Sequence, residues 1–230
     1  DRNVDAMRFL AHIYWQEEQQ KSDAEALLRR ATTLAPGYAA AWLMLGMMLH
    51  EGNRDAEAIE CYRAATRAEP DNAVAWAGLG TCHADVGDTE QSIAAFERSL
   101  ALSPNAPNVQ MGYGHVLKTR GDQQAALRAY RAAIAEKPDF GEVYWSMANL
   151  KVFRFEDSEI AAMERQLERD DLPESADIHF RFALAKGAVT YGLELMLAVF
   201  SIVQGMVSTI ITQSGSSGMS SVSLPQELID

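Results

Sequence analysis

Apolar residues recur along this chain at helical spacing, in short blocks separated by polar turns. Trp42, Leu45 and Leu49 stand at i, i+3 and i+7, the stripe that one face of an α-helix presents. Gly52-Asn53 interrupts the stripe at a turn. A second stripe follows through Ala58, Ile59, Tyr62 and Ala65, and Pro70 ends it because proline cannot continue a helix. The pattern predicts two antiparallel helices. Gly46 and Ala58 are small where the pair crosses, and Tyr62 is large enough to fill the space before the next pair.

The block repeats. Trp42 and Trp76 are 34 residues apart, and the same period relates Gly46, Gly80 and Gly114, then Tyr62, Phe96 and Tyr130, then Pro36, Pro70, Pro104 and Pro138. This spacing resembles the tetratricopeptide repeat, in which each repeat is a helix pair and stacked pairs share one continuous core. The resemblance implies an all-α, right-handed solenoid of helix-turn-helix repeats. Units are expected at 4–38, 39–72, 73–106, 107–140 and 141–173, with a partial unit at 174–187. In the fifth, Arg154-Phe155 stands where the turn glycine is usual.

Composition changes the picture at one place. The chain has 230 residues, 48% apolar and 23% charged, with a net charge of −12, which disfavours nucleic acid as a partner. All Lys and Arg precede residue 188, whereas 188–230 carry only Glu194, Glu227 and Asp230. There an apolar run reaches Thr212 and a Gly/Ser stretch begins at Ser214. Residues 188–212 are expected to form an apolar helix and 213–230 a disordered tail. Three roles suit the run at 189–212: a helix capping the open end of the array, a self-association surface or a membrane segment. The cap is favoured, because Glu194, Ser201, Gln204 and Ser208 interrupt the run and no basic residue follows it. Cys61 and Cys82 are too few for a disulfide framework and fit a reducing, cytoplasmic setting.

A narrower resemblance lies at the end of the array. Ala148-Asn149-Leu150-Lys151-Val152-Phe153-Arg154-Phe155, Ile160-Ala161-Ala162-Met163-Glu164 and His179-Phe180-Arg181-Phe182-Ala183-Leu184-Ala185-Lys186 look like the junction in bacterial tetratricopeptide-repeat sulfotransferases. In that family the sulfuryl donor is 3′-phosphoadenosine 5′-phosphosulfate (PAPS), held by a loop with a Pro-Arg-Ser-Gly-(Ser/Thr)-Thr core. No such loop occurs in this sequence, and residues 188–230 are too few for an α/β transferase domain. The expectation is a repeat module without the catalytic half. A substrate-recruiting part of a PAPS-dependent sulfotransferase is the alternative reading.

Little else points to chemistry. His12, His50, His83, His115 and His179 form no Cys or His pair with ligand spacing, so no metal site and no cofactor are expected. Glu17-Glu18, Glu156-Asp157 and Asp170-Asp171 sit at turns or helix starts, where carboxylates cap helices. No catalytic residue is assigned. Projecting the repeat positions that face a groove gives Arg8, His12, Leu43, Met47, Thr81, Met111, His115, Lys118, Trp145 and Asn149. Methionine, aromatic and a few polar groups suit an extended peptide or a helix. The sequence therefore predicts a non-catalytic protein-binding scaffold, and the acidic balance favours basic partner segments.

Overall fold

The structure is a computed structural model, which describes residues 2–150 and 153–191. Among these it holds eleven α-helices and no strand. They are α1 (Arg2–Trp15), α2 (Lys21–Leu34), α3 (Ala39–Glu51), α4 (Asp55–Ala68), α5 (Ala73–Asp85), α6 (Thr89–Leu102), α7 (Pro107–Arg120), α8 (Gln123–Glu136), α9 (Gly141–Ala148), α10 (Asp157–Leu167) and α11 (Glu174–Tyr191). The apolar run expected at 189–212 enters α11 as far as Tyr191, and the rest of it, with the tail at 213–230, lies outside the described residues. No helix among the described residues is long and apolar enough to cross a membrane.

Two punctuation devices recur on the 34-residue period. In the pairs α3–α4, α5–α6 and α7–α8 the turn holds one residue with left-handed backbone, Asn53 (φ 56°), Gly87 (φ 81°) and Gly121 (φ 94°). Glycine takes that conformation without steric cost, and asparagine tolerates it. The next amide then closes a six-residue ring: Arg54 N–H donates to Leu49 O at 2.9 Å, Asp88 to His83 O at 2.8 Å and Asp122 to Leu117 O at 3.0 Å. Between pairs, proline forces the preceding residue out of the helical region. Ala35, Glu69, Ser103 and Lys137 accordingly adopt almost one conformation, with φ between −132° and −139° and ψ between 79° and 87°. Asn72, Asp88 and Asp122 cap the helices that follow, each side chain accepting an amide three residues on.

The helices divide into two compact units, α1–α9 and α10–α11. In the first, each helix packs chiefly on its neighbours in sequence. Its core runs along the array through Leu28, Leu45, Leu49, Tyr62, Phe96, Leu117 and Tyr130, all buried. Small residues sit at the crossings: Ala24, Ala58 and Ala126 are fully buried, and Ser92 occupies the same repeat position. The Ser92 hydroxyl donates to Gly80 O at 2.7 Å, so the buried oxygen is satisfied. On the surface, Arg29 and Arg54 bridge Glu25 of α2 and Glu57 of α4 at 2.7–2.8 Å. In the second unit Met163, Phe180 and Ala183 are fully buried, and a Cβ at Gly187 would come within 3.1 Å of the Phe155 ring.

Candidate functional site

Tyr62 of α4 and Phe96 of α6 each reach past their own pair. A Cβ at Gly46 would lie 3.1 Å from Tyr62 of the same pair, and one at Gly78, in the next pair, would overlap that same ring. Phe96 stands in the same way between Gly80, at 2.9 Å, and Gly112, at 3.1 Å. The aromatic ring is thus wedged between two first helices, which approach it because they carry hydrogen where other residues carry a side chain. Sixteen residues separate Tyr62 from Gly78 and Phe96 from Gly112.

This arrangement opens a pocket of about 440 Å³ on the side lined by the first helices. Tyr62 and Phe96 reach it from behind, past Gly78 and Ala77, while Met47 of α3 and Val74 of α5 stand at its walls. Met47 is 42% and Val74 59% exposed, so large apolar surface faces water here. Trp15, His50, Glu51, Thr81, Asn108 and Val109 complete the lining. Filling such a pocket with one Leu- or Phe-sized side chain is worth about 1.5–3 kcal/mol.

Of the ten groove residues expected from sequence, Met47 and Thr81 line this pocket. Thr81 is half-buried and turns its hydroxyl to Ala77 O at 3.1 Å. Leu43 packs against the core beside the pocket, and Met111 is half-buried on α7. His12 and Lys118 are exposed. Arg8 is engaged locally: its Nε donates to the Tyr38 hydroxyl at 2.8 Å, which in turn donates to Asp5 at 2.5 Å, and its guanidinium lies 4.2 Å above the Phe9 ring. His115 pairs with Ser146 Oγ at 3.0 Å and meets the Tyr130 ring edge-on at 5.6 Å. Burial holds its imidazole below the usual histidine range, against the pull of Glu142 and with the push of Lys118. Trp145 and Asn149 are half-buried on α9 and at its end, where Asn149 Nδ2 donates to Trp145 O at 2.7 Å.

Val74, His50, Trp15, Tyr62, Phe96 and Val109 were missed by projecting equivalent repeat positions. The glycine sixteen residues on, Gly78 and Gly112, is the signal that marks Tyr62 and Phe96; no such pattern marks the other four.

Beside the pocket lies a polar cluster. His50 Nδ1 is 2.6 Å from Asp55 Oδ1 and 3.7 Å from Asp85 Oδ2. The donor atoms of His50, Asp55 and Cys82 all lie within 4.8 Å of one another. Cys82 is fully buried, and burial, with Asp55 and then Asp85 nearby, pushes its thiol up to about 12. Cys61 is likewise raised by burial, to about 11, so neither thiol is a nucleophile in this state. The Asp85 carboxyl is raised by burial and by the negative charge of Asp55, with His50 opposing. Sequence spacing gave no hint of this cluster, because its members come from α3, the start of α4 and α5.

The comparisons agree with the repeat geometry. The profile described as the cytochrome c-type biogenesis protein H TPR domain matches residues 63–176, and a tetratricopeptide-repeat profile matches 10–73. The chain is a tetratricopeptide-repeat protein. Solved structures of MamA share the fold. Two of them align at 22% and 21% identity, with TM-scores of 0.55 and 0.56, over 77% and 81% of this chain and 96% of each of theirs. MamA 41-end from Desulfovibrio magneticus RS-1 aligns at 12% identity with a TM-score of 0.60, over 80% of this chain and 94% of its own. No curated protein matches the sequence. None of these matches names a sulfotransferase.

Proposed function

We propose that this tetratricopeptide-repeat protein is a non-catalytic scaffold that holds a partner segment along the side lined by its first helices. The observation that carries the reading is the pocket between α3, α5 and α7, where exposed Met47 and Val74 flank a floor of Tyr62 and Phe96. Apolar surface of this kind, next to a few polar groups, takes one anchoring side chain of an extended or helical peptide. Asp85 and Asp55 beside His50, and a net charge of −12, favour basic residues flanking that anchor.

The test is selection of binding peptides from a displayed library on the 230-residue chain, followed by affinity measurement. The expected peptides carry a large apolar residue next to Lys or Arg. Met47→Glu and Val74→Asp, both at exposed positions, should weaken them about tenfold or more with little change in melting temperature. Peptides that bind these two variants as tightly as the parent chain would place the binding surface elsewhere and overturn the reading.

A further inference from the structure

We propose that His50, Asp55, Cys82 and Asp85 form a binding site for one divalent cation of the zinc class. Donor atoms of His50, Asp55 and Cys82, from three helices of the first unit, lie within 4.8 Å of one another, and Asp85 Oδ2 stands 3.7 Å from His50 Nδ1 as the fourth candidate ligand. His50 ends α3, Asp55 begins α4, and Cys82 and Asp85 lie one turn apart on α5. In a tetrahedral zinc site, bond lengths of about 2.0–2.3 Å put neighbouring donors about 3.3–3.8 Å apart. The separation of 3.7 Å between His50 Nδ1 and Asp85 Oδ2 already fits. The 2.6 Å between His50 and Asp55 must open, and the widest separation among His50, Asp55 and Cys82, at most 4.8 Å, must close. Each adjustment is about an ångström or less.

The donor chemistry selects the ion. One imidazole nitrogen, one sulfur and two carboxylates suit zinc, whereas magnesium and calcium take oxygen ligands and find too few here. The two carboxylates crowd one another, and among the described residues the cationic partner offered to either is His50. A dication removes that repulsion. The site is also graded in access: Cys82 is fully buried, the Asp55 side chain is 18% exposed, and those of His50 and Asp85 are 38% and 47% exposed. The sulfur anchors the inner side and the half-exposed groups close the outer one. As the sulfur binds, the thiol proton leaves to solvent, and the imidazole carries its proton on Nε2. The bound ion ties α3, α4 and α5 together next to the pocket that His50 also lines.

Cobalt(II) tests this directly, because a thiolate ligand gives it a charge-transfer band that nitrogen and oxygen ligands do not. The 230-residue chain, freed of metal with a chelator and kept reduced, is titrated with Co²⁺ and then with Zn²⁺. The expected result is one equivalent of cobalt with the thiolate band, displaced by one equivalent of zinc, and a higher melting temperature with zinc bound. Cys82→Ser should abolish the band and Cys61→Ser should leave it. His50→Ala and Asp85→Asn, at half-exposed positions that do not endanger the fold, should each weaken binding about tenfold or more. A chain that gives no thiolate band overturns the proposal. So does a band that survives Cys82→Ser, or cobalt affinity unchanged in both His50→Ala and Asp85→Asn.

Discussion

Gly114 lies so close to the ring of Tyr130 that a Cβ there would come within 2.5 Å of Cε1. The contact joins the two helices of one pair, α7 and α8, at their crossing. Tyr130 is fully buried, so the ring has no free volume to enter. Gly114→Ala should therefore destabilise the protein by about 1–3 kcal/mol despite the better helix propensity of alanine. Gly46→Ala, whose Cβ would stand 3.1 Å from Tyr62, should be much milder, because a few tenths of an ångström of movement suffice and the propensity gain offsets them. Chemical denaturation of the two variants checks the order, and equal losses would show that the crossing distance does not set the effect.

His83 is a histidine where its repeats have leucine. Leu49 and Leu117 occupy the equivalent positions and are each 1% exposed; His83 is 3% exposed. Its Nδ1 has no hydrogen-bond partner among the described residues, since Asp88 Oδ2 at 3.4 Å lies within ion-pair reach but outside bonding geometry. Burial lowers its pKa, Asp88 opposes and Arg63 assists. A histidine whose folded pKa is depressed is protonated first in the unfolded chain. Its contribution to stability is thus complete above the unfolded value of about 6.5 and is lost as pH falls from there toward the folded pKa. His115, lowered by burial between Tyr130 and Ser146, acts with the same sign. His83→Leu should raise stability by about 1–3 kcal/mol, more at pH 6 than at pH 8. Melting curves at the two pH values decide it, and a variant less stable at both would show that the imidazole is satisfied.

Much of this architecture is legible in the chain because the repeat writes the same local solution several times. Pro36, Pro70, Pro104 and Pro138 announce the breaks between pairs, and each dictates the backbone of the residue before it. The pairing of Tyr62 with Gly46 follows from the same period. What escapes that comparison is contact between unlike positions. Gly78 matters through Tyr62 of the preceding pair, a relation at sixteen residues rather than 34, and so the pocket floor did not emerge from aligned positions. The cluster of His50, Asp55 and Cys82 is harder still, since its members occupy different repeat positions and meet only when α3, α4 and α5 pack.

Trp42 and Trp76 recur for a reason beyond size. Trp42 Nε1–H donates to Pro36 O at 2.9 Å and Trp76 Nε1–H to Pro70 O at 2.8 Å, each holding the connection that enters its own helix. Gln110, at the third equivalent position, makes a weaker version to Pro104 O at 3.4 Å. Trp76→Phe keeps an aromatic ring and loses the donor. The half-buried site should lose about 0.5–1.5 kcal/mol, the net worth of one hydrogen bond. Amide exchange should quicken at Asn72, whose N–H closes the connection onto Glu69 O at 3.1 Å. Unchanged exchange there would mean that the indole contributes packing alone.

Tyr130 supplies the opposite case, a polar group whose removal should help. Its side chain is fully buried, and its hydroxyl finds no hydrogen-bond partner among the described residues. Burial pushes its ionisation far above the usual tyrosine range, so the hydroxyl stays neutral at any ordinary pH. An unpaired buried hydroxyl forfeits its water without return, at a cost of about 1–3 kcal/mol. The equivalent position one repeat earlier is Phe96, which wedges between Gly80 and Gly112 as Tyr62 does between Gly46 and Gly78. The ring, then, is what the crossing requires, and the oxygen is not. Tyr130→Phe should leave stability unchanged or raise it by up to about 2 kcal/mol, while Tyr130→Leu should lower it by leaving a cavity against Gly114. Denaturation midpoints for the pair separate ring from hydroxyl: a loss of more than about 1 kcal/mol in Tyr130→Phe would mean that the oxygen is hydrogen-bonded in the folded protein.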